Sequence, residues 1–270
     1  MKRKSDALFH IYMALFLAYM IVPLLVMAGA AFNDSRFPSV LPWRGFTTRW
    51  FTELWADERM WVAFANTMVV AAVVAALSVI VGTAAAIVVN NVAGRLRSVL
   101  YGLMVAPILA PGAVIGISTL LFWNAFSVPA GLHLSVLGQV SFVAAFVMLL
   151  VLARLQSFDS ALEEAALDLG ASHAQVLRRI LLPHLYPAMA AGAAIAFFQS
   201  IENFNVTLFT RGNSDTLTVY VFSKVRTGVT PTINALAVIL IAITLVCAIA
   251  YEVSRRRRER RERLLATEAA

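Results

Sequence analysis

Charge is scarce in this chain of 270 residues: Asp, Glu, Lys and Arg make up 14%, while hydrophobic residues make up 60%. An average soluble protein carries about 25% charged residues, so this deficit excludes a soluble domain with a large core and leaves an integral membrane protein. Cysteine is nearly absent. Cys247 is the single one and sits in an apolar run, so no intrachain disulfide forms. The four histidines, His10, His133, His173 and His184, are scattered without metal-ligand spacing, and neither a metal nor another cofactor is expected. No Gly-Lys dipeptide occurs, which excludes a P-loop, and G-x-S-x-G and H-E-x-x-H are missing too. An enzyme is therefore not expected. The net charge of +7 points to arginines at membrane faces and not to a nucleic-acid partner.

Long apolar runs are abundant. A membrane-crossing helix needs about 20 mostly apolar residues, and six runs qualify: 9–31, 67–89, 99–123, 136–153, 188–209 and 233–251. The third and fourth come from one uncharged stretch, divided where Pro129 and Gly131 mark a turn. Pro107 and Pro111 bracket a kink in the third run, and Gly112 and Gly116 form a G-x-x-x-G, a motif of close helix packing. The expected fold class is an all-α polytopic membrane protein, with a six-span domain over 1–254 and a basic tail over 255–270. The N-terminal run is longer than the apolar segment of a cleavable signal, so a retained first helix is expected. With both termini in the cytoplasm, the inner segments hold 15 of the 22 lysines and arginines, the asymmetry of the positive-inside rule. The tail "RRRRERRER" then lies against anionic lipid.

One segment departs from this pattern. Residues 154–187, between the fourth and fifth runs, are charged and helix-forming. Ser160 and Glu163 have capping-box spacing, which predicts a helix start. Leu162, Ala165, Ala166 and Leu169 follow at i, i+3, i+4 and i+7 and make one small apolar face. Gly170 marks a corner. Ser172 and Gln175 form a second capping box, opening a helix expected to end at Pro183. Read from periodicity alone, this is either an amphipathic connector on the membrane surface or a knob that meets a soluble partner.

The stretch "EEAALDLGASHAQVLRRILLPHLYPA" resembles the E-A-A-x(3)-G-x(9)-I-x-L-P signature of the inner-membrane subunits of binding-protein-dependent ABC importers. Glu164, Ala165, Ala166, Gly170, Ile180, Leu182 and Pro183 occupy the signature positions. The resemblance implies a type I ABC importer permease fold in the bacterial inner membrane and a cytoplasmic coupling-helix hairpin. It implies docking on cytoplasmic ATPase subunits through Leu162, Ala165, Ala166 and Leu169, with Glu163 and Glu164 orienting the contact or capping the helix and Gly170 setting the corner. It further implies a second permease subunit, a paralogue, and an extracytoplasmic solute-binding protein. The outer segments 33–61 and 211–231 offer that protein its surface. The alternatives are a stand-alone channel or secondary carrier, which would have no use for the signature, and a membrane-embedded enzyme.

Within the spans, Glu202 is the single acidic residue, and intramembrane ionisable groups are functional by default. On a continuous helix, Gln199, Glu202, Asn203 and Val206 share one face. These positions, Gln199, Glu202 and Asn203 above all, are the expected solute path. The stretches "AGAAIAFFQSIENFNVTLFT" and "TLTVYVFSKVRTGVTPTINALAVIL" are similar to spermidine/putrescine-type permeases. The resemblance implies a polyamine or related cationic or zwitterionic solute. Two adjacent acids are usual there, and Asn203 replaces one of them. That substitution leaves room for opines, amino acid derivatives and other small solutes.

Overall fold

In the computed structural model, the described residues are 2–228 and 230–268, with side chains for 8–228, 230–257 and 259. Helices dominate, and the chain divides into two compact units.

The first unit comprises Met1–Glu58 and Val221–Ala270. Helix α1 (Lys2–Ala31) and helix α2 (Arg49–Trp55) both pack on helix α12 (Pro231–Glu268). Large apolar side chains stand exposed along α1, Leu8, Leu15 and Tyr19 among them. Side chains of this kind are compatible with lipid, where leaving them outside protein costs little. The loop between α1 and α2 is folded around Asn33. Its amide Nδ2 donates to the carbonyls of Ser39 (2.8 Å) and Pro42 (3.1 Å), and its Oδ1 accepts from the Arg44 N–H (2.9 Å). The Trp50 indole N–H closes the loop by donating to the Asn33 carbonyl at 2.9 Å. A fully buried polar residue is stable when satisfied this way.

The second unit, Arg59–Tyr220, contains helix α3 (Glu58–Asn91) from its second residue, α4 (Gly94–Leu109), α5 (Gly112–Asn124) and α6 (Leu132–Leu155). The short α7 (Ser160–Asp168) and α8 (His173–Val176) follow, then a π-helical turn over Leu177–Leu181, α9 (Leu182–Ile201) and α10 (Asn205–Thr210). Helix α11 (Leu217–Thr227) carries the chain from this unit into the first. The core is aliphatic: Val74, Val143, Val147, Met148, Val151 and Leu185 are fully buried. Small residues set the spacing. A Cβ on Gly82 would lie 2.6 Å from the Ala144 carbonyl oxygen, and one on Gly192 would lie 3.0 Å from Val147 Cγ1. Close approach of backbones at glycine is how membrane helices gain packing energy without a hydrophobic driving force.

By length and composition, Leu8–Phe32, Glu58–Asn91, Leu132–Leu155, His173–Ile201 and Pro231–Arg257 are long and apolar enough to cross a membrane. The expected third span, 99–123, is instead two helices, α4 and α5, bent by 106°. Proline explains the break. Ala110 precedes Pro111 and is forced out of the helical region, to φ −79° and ψ 135°. The expected fifth span, 188–209, is also two helices, separated at Glu202–Phe204. Its first half begins earlier than expected, because Pro183 does not stop the preceding helix. The π turn ends just before α9, and Pro183 falls in the first turn of that helix, where a missing N–H costs little.

Candidate functional site

Two places carry the functional residues expected from sequence, and both lie in the second unit. The hairpin is anchored where α6 meets α9. Arg154 Nε donates to the His184 carbonyl at 3.2 Å, the His184 ring nitrogen lies 3.3 Å from the Arg154 carbonyl, and Phe158 packs edge-on against the His184 ring at 5.2 Å. From this base α7 projects. Its cap is Asp159, whose Oδ1 accepts from the Ala161 N–H at 3.0 Å, in place of the expected Ser160–Glu163 box. Adjacent capping residues compete for one position, and Asp caps at least as well as Ser. The second box is formed: Ser172 Oγ accepts from the Gln175 N–H, and Gln175 Oε1 accepts from the Ser172 N–H at 2.7 Å.

Between them Gly170 has φ +86°, a conformation that glycine adopts without penalty. The apolar stripe is presented to the outside. Leu169 is 89% exposed and Leu162 54% exposed, Ala165 is exposed and Ala166 half-buried. Glu163 is half-buried and Glu164 exposed. A groove of about 270 Å³ runs beside the corner, lined by Leu169, Gly170, Gln175, Val176 and Ile180 among others.

The second place is the break after α9. Gln199, Glu202 and Asn203 do come together, though not as a helical stripe, because α9 ends at Ile201 and Glu202 is its C-cap. They line a cavity of about 310 Å³ with Asn205, Phe204, Phe142 and Phe146, closed on another side by Pro107, Ile108 and Ala110 near the α4–α5 bend. Glu202 and Asn205 are exposed; Gln199 and Asn203 are half-buried. Asn203 has a structural duty: its Oδ1 accepts from the Val206 N–H at 3.1 Å, satisfying a donor at the start of α10. Glu202 is thus the one carboxylate lining the cavity, among amides and aromatic rings. Such a lining suits a small organic cation, which gains from a carboxylate and from ring faces together.

The seat of α10 is made by glycine. A Cβ on Gly116 would lie 2.9 Å from the Val206 carbonyl oxygen, one on Gly138 2.8 Å from Val206 Cγ1, and one on Gly112 3.0 Å from Asn205 Cβ. The G-x-x-x-G noted in the sequence therefore receives the half-helix that follows the break. Sequence reasoning missed the polar groups behind it. Buried Gln139 is hydrogen-bonded to the buried side chains of Ser200 and Thr207, and buried Ser135 pairs separately with buried Thr210. Gln139, a lone amide in an apolar run, was the available signal.

Comparison with known proteins extends over nearly the whole chain. It is 36% identical over 255 residues to the putrescine transport system permease protein PotI of Escherichia coli K12, covering 91% of this chain and 90% of that one. Similarity to the spermidine/putrescine transport system permease protein PotC of the same strain is 32% over 242 residues, covering 89% and 91%. Among solved structures, a bacterial ABC transporter that imports the acidic polysaccharide alginate matches with a TM-score of 0.69 at 16% identity, over 94% of this chain and 96% of that one. An amino acid ABC transporter matches with a TM-score of 0.56 at 19% identity, over 78% and 100%. These two likenesses establish a shared ABC importer permease fold. A family model matches residues 78–264, which hold both the hairpin and the cavity, so the chain belongs to the binding-protein-dependent transport system inner membrane components.

Proposed function

We propose that this permease subunit conducts a polyamine or a related small organic cation, and that the Glu202 cavity is part of its path. The observation that carries the reading is the single carboxylate, set among Phe142, Phe146, Phe204 and amides at a break in a membrane helix. Broken helices at membrane depth are tolerated where they line a cavity. The relatives PotI and PotC are by name putrescine and spermidine/putrescine permeases, which supports the same solute class.

The same proposal extends to the rest of the assembly. The exposed stripe Leu162, Ala165, Ala166 and Leu169, with Glu163, Glu164 and the Gly170 corner, docks on a cytoplasmic ATPase subunit. That role requires both termini in the cytoplasm, as the lysine and arginine asymmetry indicates. The partner in the membrane is a second permease, a paralogue. A solute-binding protein meets the outer segments, 33–61 and 211–231. A second reading, a monocation or zwitterion such as an opine or amino acid derivative, is favoured by Asn203, which leaves the cavity with one charge.

The test is uptake by the complete transporter in proteoliposomes, loaded through its binding protein. Putrescine and spermidine are compared with a monoamine, a zwitterion and an acidic sugar. Saturable, ATP-dependent uptake of diamines or triamines is expected. Uptake restricted to zwitterions selects the second reading, and uptake of anions alone overturns both.

A further inference from the structure

We propose that Gln139 is a positioning residue for solute transport: it links the two halves of the broken helix and thereby fixes how the Glu202–Asn205 turn faces the cavity. This rests on the reading of that cavity as a solute path.

A break in a helix removes the ladder of backbone hydrogen bonds that would hold its two parts in line. Here α9 ends at Ile201 and α10 starts at Asn205. Something else must set the angle between them. Gln139, on α6, touches both sides. Ser200, in the last turn of α9, donates from Oγ to Gln139 Oε1 at 2.5 Å, and Gln139 Nε2 donates to Thr207 Oγ1, in α10, at 2.9 Å. Gln139 and Thr207 are fully buried and Ser200 is 4% exposed. Hydrogen bonds in such an apolar setting are stronger and more rigid than in water. The same helix α6 supplies the cavity wall through Phe142 and Phe146, which lie at i+3 and i+7 from Gln139 on one face. One rigid element therefore holds the wall and the turn opposite it in register.

A hydroxyl in a membrane helix has a simpler way to satisfy itself. It donates to the carbonyl four residues back, as Thr67 does to Ala63, Thr210 to Val206 and Thr244 to Leu240. Ser200 instead turns to Gln139, so the amide is not there merely to satisfy the two hydroxyls. What it adds is a connection across the break. Gly116 and Gly138 hold α10 down through Val206, and Gln139 sets its orientation relative to α9.

The experiment uses the whole transporter in proteoliposomes, with Cys247→Ser as background. Gln139→Met keeps the side-chain volume and removes both bonds. It is expected to raise KM for the transported cation about five- to tenfold, the scale of one or two buried hydrogen bonds, while Vmax per assembled complex changes less than about twofold. A second readout is labelling by a water-soluble methanethiosulfonate. Gln139→Met should change the reaction rate of Asn205→Cys at least about threefold and leave that of the exposed reference Ser98→Cys unchanged. Ser200→Ala, which cuts one bond, should raise KM alone and add nothing on top of Gln139→Met. If Gln139→Met does not assemble, Ser200→Ala is judged on the same readouts. Unchanged KM, or parallel changes at both labelled positions, overturns the positioning role. The path reading falls separately, when Glu202→Gln transports normally.

Discussion

The hairpin and the broken helix are opposite solutions to one problem, that of placing groups where their surroundings do not suit them. In the hairpin, apolar Leu162 and Leu169 stand exposed on a charged segment. At the break, hydroxyls and the Gln139 amide are buried in an apolar bundle, beside a cavity lined by the Glu202 carboxylate and further amides. The hairpin is built from local signals: a cap, a glycine corner and a capping box. The break is built from distant ones, glycines and an amide on other helices. The apolar stripe is left without a cover in the chain itself, whereas the buried hydroxyls and amide find their partners within it. The first region is therefore left open at its surface, and the second is tied together inside the fold.

The sharpest way to break this contrast is at the glycine corner. In Gly170→Val the new Cβ meets nothing within 4 Å. The penalty is conformational: φ +86° in an L residue costs about 2 kcal/mol, and a β-branched side chain does worse. The corner should open, with loss of ATPase-subunit co-purification and uptake reduced more than about tenfold, 2 kcal/mol being nearly thirtyfold in an equilibrium. Membrane insertion should persist. Gly170→Asn should be much milder, because Asn tolerates the left-handed region. Normal coupling in Gly170→Val would show that the hairpin does not act through its shape.

The difference in origin also explains what was legible in the sequence. The hairpin was readable because its signals sit in the segment they shape. Even so, the cap moved by one residue, from Ser160 to Asp159, since neighbouring capping residues are not ranked by pattern. The helix continued through Pro183 because the π turn before it takes up the irregularity. The break at Glu202–Phe204 was not readable. The segment "QSIENFNVTLFT" has no proline or glycine, and the i, i+3, i+4 spacing of Gln199, Glu202 and Asn203 suits an unbroken helix. What interrupts it is tertiary: the seat at Gly112, Gly116 and Gly138, and the link through Gln139. The α4–α5 break lies between these cases. Pro111 marks the position, but the 106° angle depends on packing.

A narrower effect, on uptake but not on assembly, tests the other side of the comparison. Glu202→Gln keeps size and hydrogen-bonding capacity and removes the charge. Hydrogen bonds to charged groups contribute about 1.5–3 kcal/mol, so uptake of a cation at low concentration should fall about ten- to hundredfold. The hairpin is untouched, and ATPase-subunit association and basal hydrolysis should be unchanged. The variant therefore separates path from coupling, which Gly170→Val disrupts together. Uptake equal to wild type across solute concentrations would leave Glu202 an interfacial residue.

The smallest change concerns Asn203, where the two duties of the break meet. Its Oδ1 caps α10 through the Val206 N–H, while its side chain also lines the cavity beside Glu202. Asn203→Asp retains that acceptor, and Asp is as good a cap as Asn, so the break should keep its form. The variant gains a second carboxylate at the cavity. A solute with two or more ammonium groups can neutralise both, whereas a monoamine leaves one uncompensated next to a like charge. The ratio of uptake efficiency for spermidine over a monoamine should therefore rise about two- to fivefold, the size of one partly solvated charge contact. Asn203→Leu gives the contrasting result. It removes the cap without adding charge, so uptake of both solutes should fall by similar factors. Competition uptake with both solutes in the same vesicles measures the ratio directly. If Asn203→Asp shifts both solutes equally, the residue acts through the cap alone, and charge at this position does not select the solute.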